Sequence, residues 1–183
     1  MIAFGGLYFF CLRKRGLKLK IEKVLNNNVV ISKNKKGEDI IVMGSGIAFH
    51  KKRGDSIEDE KVERIFSQQV PDLTVKFQTL LKEIPEEYLE ITERIIKEAS
   101  RELKKDLSDN LYIALMDHIH FSVQRYRQGM AIKNQLLTDI KLIYRDEFRV
   151  AQKALEFINE AFGTDLPEDE AGFIAFHFVN AAG

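Results

Sequence analysis

Between residues 19 and 66, apolar and polar side chains alternate in runs too short for helices, and each run ends at residues that suit a turn. Leu19–Leu25 places Leu, Ile and Val positions between Lys and Glu, the two-residue period of a half-buried strand. Asn26-Asn27 supplies a turn, because asparagine tolerates left-handed backbone. Val29-Val30-Ile31 resumes the strand, Lys36-Gly37 turns again, and Asp39–Met43 is a β-branched third run. Gly44 and Gly46 interrupt it. Gly46–His50 offers a further strand, Lys51-Lys52-Arg53-Gly54-Asp55 a charged turn, and Lys61–Phe66 closes the unit. The expected result is a small antiparallel all-β domain of four strands. About fifty residues bury little surface alone, which favours a dimeric sheet.

Pro71-Asp72 marks the expected boundary, after which the period becomes helical. Pro85 suits a first helical turn, and Glu86 and Glu87 favour the positive end of the dipole. Leu89, Ile91, Ile95, Ile96, Ala99 and Leu103 form an apolar stripe. Ser108 caps a helix carrying Leu111, Leu115, Met116, Ile119 and Val123 that stops at Gly129. A long segment from about Lys133 to Phe162 ends at Gly163, and Leu166-Pro167-Glu168-Asp169-Glu170 opens the last helix, with Phe173, Ile174, Phe176 and Phe178. The expectation is an all-α bundle of five helices. The domains read as 1–18, an N-terminal extension; 19–70, the sheet; and 71–183, the bundle.

The net charge of zero conceals an asymmetry. Residues 1–70 carry 14 Lys/Arg and 8 Asp/Glu; residues 71–183 carry 14 and 20. A basic half hints at a polyanion partner, but Arg13, Lys14, Arg15 and Lys18 lie in the extension, and residues 19–70 carry only 10 against 8. The single cysteine, Cys11, excludes an internal disulfide and fits a reducing cytoplasm. The apolar run to Leu12 precedes its basic residues, the reverse of a secretory signal. It is shorter than the ~20 residues that span a bilayer, so no membrane insertion is expected. The expectation is that translation starts later, at Leu17 or Leu19; a mature protein beginning Met1-Ile2 overturns that.

The chemistry on offer in the first domain is recognition. Asparagine presents donor and acceptor together, glycine admits close backbone approach, Phe49 can stack on an unpaired base, and Lys23 can meet a phosphate. On spacing alone a second reading stays open, in which these are turn residues and Phe49 is core. Of the four histidines, His50, His118, His120 and His177, none has the i, i+4 partner a metal site needs, so no metal and no cofactor are expected. His118 and His120 project about 200° apart on a helix. No nucleophile–base pair and no phosphate-binding loop is present, so the chain does not read as an enzyme.

Three motifs carry a resemblance: Lys20-Ile21-Glu22-Lys23-Val24-Leu25-Asn26-Asn27-Asn28-Val29, then Val42-Met43-Gly44-x-Gly46-Ile47-x-Phe49, then Lys51-Lys52-x-Gly54-Asp55. They resemble the co-antiterminator RNA-binding domain of the BglG/SacY/LicT family of bacterial transcriptional antiterminators. The resemblance implies a symmetric homodimer whose sheet edge grips an imperfect RNA hairpin. Lys23, Asn26, Asn28, Gly44, Gly46 and Phe49 are the positions implied to contact RNA. Ser45 departs from the pattern, where relatives often carry a basic residue, and this removes one phosphate contact.

The second half carries Met116-Asp117-His118-Ile119-x-Phe121, Ile132-Lys133-Asn134-x-Leu136-Leu137, Tyr144-x-Asp146-Glu147-Phe148 and Leu166-Pro167-Glu168-Asp169-Glu170-Ala171-Gly172-Phe173-Ile174-Ala175-x-His177. These resemble the phosphotransferase-system regulation domain. The implied partners are phosphotransferase-system proteins that donate phosphoryl groups to His118 and His177, with Asp117 orienting His118. In the family, phosphorylation of this first regulation domain generally switches antitermination off, and a second such domain normally follows; none is present before Gly183. The expected function is a cytoplasmic, sugar-responsive RNA-binding antiterminator. The alternatives are a sugar-regulated DNA-binding activator, against which the strands of the first half speak, and a phosphocarrier without RNA binding.

Overall fold

The computed structural model describes residues 16, 18–67, 78–108 and 110–182. The N-terminal apolar run, Cys11 and the Pro71-Asp72 boundary lie outside the described residues. The chain divides into two compact units, residues 1–86 and 87–183.

The first unit holds a four-stranded antiparallel sheet in chain order: β1 (Lys23–Asn26), β2 (Val29–Lys33), β3 (Asp39–Met43) and β4 (Arg64–Ser67). Val30 stands opposite Val42, and Val42 opposite Ile65. This row joins Leu19, Ile21, Ile47, Ile57 and Val62 in one core cluster. The neighbouring row, Ile31, Ile41 and Phe66, faces the other side and is buried too. Each such side chain contributes roughly 1.5–3 kcal/mol by leaving water. Ser32 lies inside this apolar setting at 0% exposure, and its hydroxyl donates to the Lys20 carbonyl at 2.6 Å. That bond removes the cost of burying the hydroxyl.

Two strand expectations are corrected. Leu19–Leu25 is not one strand. Leu19–Ile21 turns to the charged loop instead: the Ile21 N–H donates to the Asp55 carbonyl (2.9 Å), the Gly54 N–H to the Ile21 carbonyl (2.8 Å), and the Ile57 N–H to the Leu19 carbonyl (3.0 Å). The alternation misled because Leu19 and Ile21 do enter the sheet's core, whereas in β1 Val24 is exposed and Leu25 only half-buried. Gly46–His50 is a run of turns, not a strand. Ile47, Phe49 and Lys51 each donate backbone N–H to the carbonyl three residues back. Gly44 leaves the sheet plane so close to β4's approach that a Cβ there would lie 1.7 Å from the Lys61 carbonyl oxygen.

A short helix, α1 (residues 78–83), follows the sheet in the first unit. The second unit contains α2 (Glu86–Leu103, its first residue shared with the first unit), α3 (Asn110–Arg127), α4 (Leu137–Ile143), α5 (Arg145–Phe162) and α6 (Glu168–Ala181). The described residues thus hold six α-helices against the five expected. The run 133–162, expected as one segment, is two helices separated at Tyr144, whose φ of −113° and ψ of 55° leave the helical region. The α2 stripe is buried except for a half-buried Leu103, and Leu115, Met116, Ile119 and Val123 bury the facing side of α3. On α6, Phe178 is fully buried while Phe176 is exposed. No helix among the described residues is long and apolar enough to cross a membrane.

The contact at Gly44 makes a stability prediction. Gly44→Ala drives a methyl group into backbone that cannot rotate away, and overpacking of this kind costs about 3 kcal/mol. Chemical denaturation should show that loss, whereas Gly37→Ala, with open space at its turn, should cost only the strain of its positive φ.

Candidate nucleic-acid interface and histidine site

The β1–β2 turn and the loop after β3 meet at one end of the sheet. Their meeting is organised by Asn28, which is 6% exposed. Its side-chain oxygen accepts the Gly46 N–H at 2.8 Å, and its backbone carbonyl accepts the Gly44 N–H at 2.9 Å. The Ala48 N–H donates to the Asn27 carbonyl, also at 2.9 Å. Asn26 in turn accepts the Asn28 N–H on its side-chain oxygen (2.8 Å), the geometry that closes an asparagine turn, and donates its amide to the Leu81 carbonyl at 3.4 Å. Gly46 takes φ 65°, a left-handed conformation that suits glycine.

Five of the six positions expected to contact RNA are therefore brought together: Asn26, Asn28, Gly44, Gly46 and Phe49. Lys23 lies exposed on the edge strand β1, where an extra residue between Val24 and Asn26 forms a bulge. The cluster is divided in role. Asn28 and Gly44 hold the loop from inside, while Phe49 is 57% exposed, with the ring of His50 4.0 Å from its own. An exposed phenylalanine on a fixed loop is a platform on which a base can stack. The reading that places Phe49 in the core does not hold. Sequence reasoning passed over His50, whose φ of 56° places it on the same surface turn.

In the second unit, His118 on α3 faces α6. Its Nε2 lies 2.9 Å from a carboxylate oxygen of Glu170, and its ring centroid is 5.2 Å from that of His177. Glu170 is 4% exposed and serves three groups. Besides His118, the Ser122 hydroxyl lies 3.1 Å from the same oxygen, and Arg125 donates to its other oxygen at 3.1 Å. Ser122 also approaches the His118 carbonyl (2.7 Å), so its single proton is shared between two acceptors. Phe173 packs against the His118 ring at 5.8 Å.

The orienting carboxylate of His118 is thus Glu170, 52 residues away, rather than the neighbouring Asp117. Asp117 is exposed, and its charge acts on His120, where it opposes the downward push of burial. His120 lies apart from the pair, edge-on to Tyr88 and within 3.1 Å of the Gln124 amide. Burial pushes the Glu170 carboxyl up, but the hydrogen bond and charge of His118, the Ser122 hydroxyl and Arg125 together hold it below its ordinary value. Burial, and then the charge of His118, lower His177 from 6.5 to about 4. His177 is therefore a neutral imidazole at neutral pH, with a ring lone pair available as a nucleophile.

Sequence reasoning named both histidines and missed Ser122, Arg125 and Glu170. A signal was present: His118, Ser122 and Arg125 follow i, i+4, i+7 on one helix face, and Glu170 and His177 stand two turns apart on another.

Family models match in two successive stretches, the CAT RNA binding domain over residues 19–73 and the PRD domain over residues 93–181. The crystal structure of GlcT CAT-PRDI superposes with a TM-score of 0.79 at 35% identity, covering 90% of this chain and 98% of that one. The chain belongs to the BglG/SacY/LicT antiterminator family. Transcription antiterminator LicT of Bacillus subtilis (strain 168) is 47% identical over 163 residues, 89% of this chain and 59% of that protein. The beta-glucoside operon antiterminator of Dickeya chrysanthemi is 43% identical over 163 residues, 89% of this chain and 58% of that protein. The chain thus spans somewhat over half the length of these two family members.

The lowered value at His177 fixes a pH dependence. Between pH 6.5 and about 4 the unfolded chain binds a proton at His177 that the folded chain does not. Stability therefore rises with pH across that window and falls on acidification. Glu170, also depressed, adds a further loss at lower pH. Thermal melts from pH 7 to pH 3 should decline from about pH 6.5, and His177→Gln should flatten the decline above about pH 4 while leaving the loss below it.

Proposed function

We propose that this chain is an RNA-binding transcriptional antiterminator of sugar-utilisation genes, controlled by phosphorylation at histidine. The observation that carries the reading is the exposed Phe49 ring on a loop clasped to the Asn26–Asn28 turn, in the segment that matches the CAT RNA binding domain. Phe49 stacks on an unpaired base of an imperfect hairpin, Lys23 meets its backbone, and Gly46 and Asn26 line the approach. Asn28 and Gly44 serve binding by holding the loop in place. Two copies of the sheet grip one hairpin as a homodimer, which then excludes an overlapping terminator hairpin.

The second unit supplies the control. His118 and His177 accept phosphoryl groups from phosphotransferase-system proteins. Support comes from their position in the stretch that matches the PRD domain, from their proximity, and from the neutral state of His177. A phosphoryl group adds about −1.5 to −2 charge to a partly buried site, which is enough to repack a helix interface. The chain acts in the cytoplasm as a regulator, without a cofactor and without chemistry of its own on a metabolite. The relatives named as antiterminators support this reading.

The test is a gel-shift titration of the full chain against hairpin RNAs from the leaders of sugar-transport genes. One hairpin should bind tightly. Phe49→Ala should weaken it by about 1–3 kcal/mol, the contribution of one stacked base, with the thermal melt unchanged because the ring is exposed. Failure of every hairpin, or equal binding by Phe49→Ala, overturns the RNA assignment. Phosphopeptide mapping after incubation with a sugar phosphotransferase cascade tests the acceptors, and phosphate absent from both His118 and His177 overturns that part.

A further inference from the structure

The geometry around Glu170 carries a conclusion about which nitrogen of His118 reacts. This rests on the reading of His118 as a phosphoryl acceptor and goes beyond it. The form of His118 that can attack phosphorus is the neutral imidazole, which has one N–H and one lone pair, and the hydrogen bond made by one nitrogen decides the state of the other. The Nε2 of His118 is 2.9 Å from Oε2 of Glu170. Glu170 is anchored as a carboxylate: Arg125 donates to its Oε1 at 3.1 Å, and the Ser122 hydroxyl lies 3.1 Å from its Oε2. An ionised carboxylate only accepts, so Nε2 carries the proton. The lone pair is then on Nδ1, for which the described residues provide no hydrogen-bond partner.

We propose that Glu170 and Arg125 are positioning residues that fix the tautomer of His118, so that the phosphoryl group enters at Nδ1. In that step the Nδ1 lone pair attacks phosphorus and forms the N–P bond. The donor's bond to phosphorus breaks, and the donor atom leaves with the electron pair. Nε2 keeps its proton throughout, so the ring becomes a phosphoimidazolium whose positive charge faces Glu170. The carboxylate thereby orients the ring and stabilises the charge that develops on it, a division of labour general to carboxylate–histidine pairs. Arg125, 14% exposed at its side chain, keeps the carboxylate ionised and aimed. Entry at Nε2 would require that proton to leave and the phosphoryl group to displace the Glu170 carboxylate, which Arg125 and Ser122 hold in place.

The experiment uses the full chain and phosphoramidate, a small donor that needs no partner protein. Its P–N bond breaks, and ammonia leaves with a proton from solvent. Before phosphorylation, the 15N ring shifts of His118 should report the Nε2–H tautomer; an Nδ1–H tautomer overturns the proposal without recourse to any variant. After phosphorylation, long-range 1H–15N and 31P spectra should place the phosphoryl group on Nδ1 of His118. Phosphate on Nε2 overturns the proposal while leaving His118 as an acceptor. No phosphate on His118 removes the acceptor reading and this one with it. Glu170→Gln retains the shape of the side chain but not its charge, and should phosphorylate at His118 about tenfold more slowly or worse, the usual loss when an orienting partner is removed. The phosphate should divide between the two nitrogens, and His177 should serve as the internal reference. An unchanged rate with an unchanged isomer in Glu170→Gln overturns the positioning role.

Discussion

One side-chain amide, that of Asn28, holds one end of the sheet together. Its oxygen accepts a backbone N–H from Gly46, 18 residues on, while its own carbonyl accepts from Gly44. Without that clasp the loop after β3 would have buried polar groups to satisfy and nothing to define its path. With it, Gly44 is pressed against the Lys61 carbonyl, Ile47 and Ala48 are drawn into the core, and Phe49 is left outside. The exposed ring and the buried pair immediately before it are consequences of the same turn. Residues that look like a recognition motif in sequence thus include some whose task is to build the platform.

The second unit uses the same economy with charge. Glu170 is a buried carboxylate that would be costly alone, and three groups from one face of α3 compensate it. Because the groups stand at i, i+4 and i+7 of a single helix, they are fixed relative to one another, and α6 must dock in one register to reach them. Docking in that register also sets His177 beside His118. Helix packing and the geometry of the histidine pair therefore have one physical origin.

Much of this was legible in the sequence where a residue's neighbours along the chain decide its state. The strand identities of 29–31 and 39–43 follow from β-branched runs between turn residues. The helices of α2 and α3 follow from apolar spacing, and the ends at Gly129 and Gly163 from glycine. What was hidden depends on distant partners. Leu19–Ile21 reads as the start of β1 but bonds to residues 54–57, and no local pattern distinguishes two partners that share a core. The break at Tyr144 leaves no proline or glycine to mark it. Asp117, adjacent to His118, was the natural orienting residue on spacing, yet adjacent residues on a helix point apart, and the carboxylate that reaches the ring comes from another helix.

The sheet's connectivity has a consequence for how the chain acquires its structure. Strands β1 to β4 are neighbours in space in the order of synthesis, so most pairings close short loops and cost little entropy. The exception is the contact of Leu19–Ile21 with residues 54–57, which joins the segment before β1 to the loop between β3 and β4. The Ser32 hydroxyl ties Lys20 to β2 early, but the backbone groups of Leu19 and Ile21 find these partners only once residues 54–57 have been made. Formation of the first unit is a zipper with a latch: a meander whose leading segment is fastened by the loop that comes before its last strand.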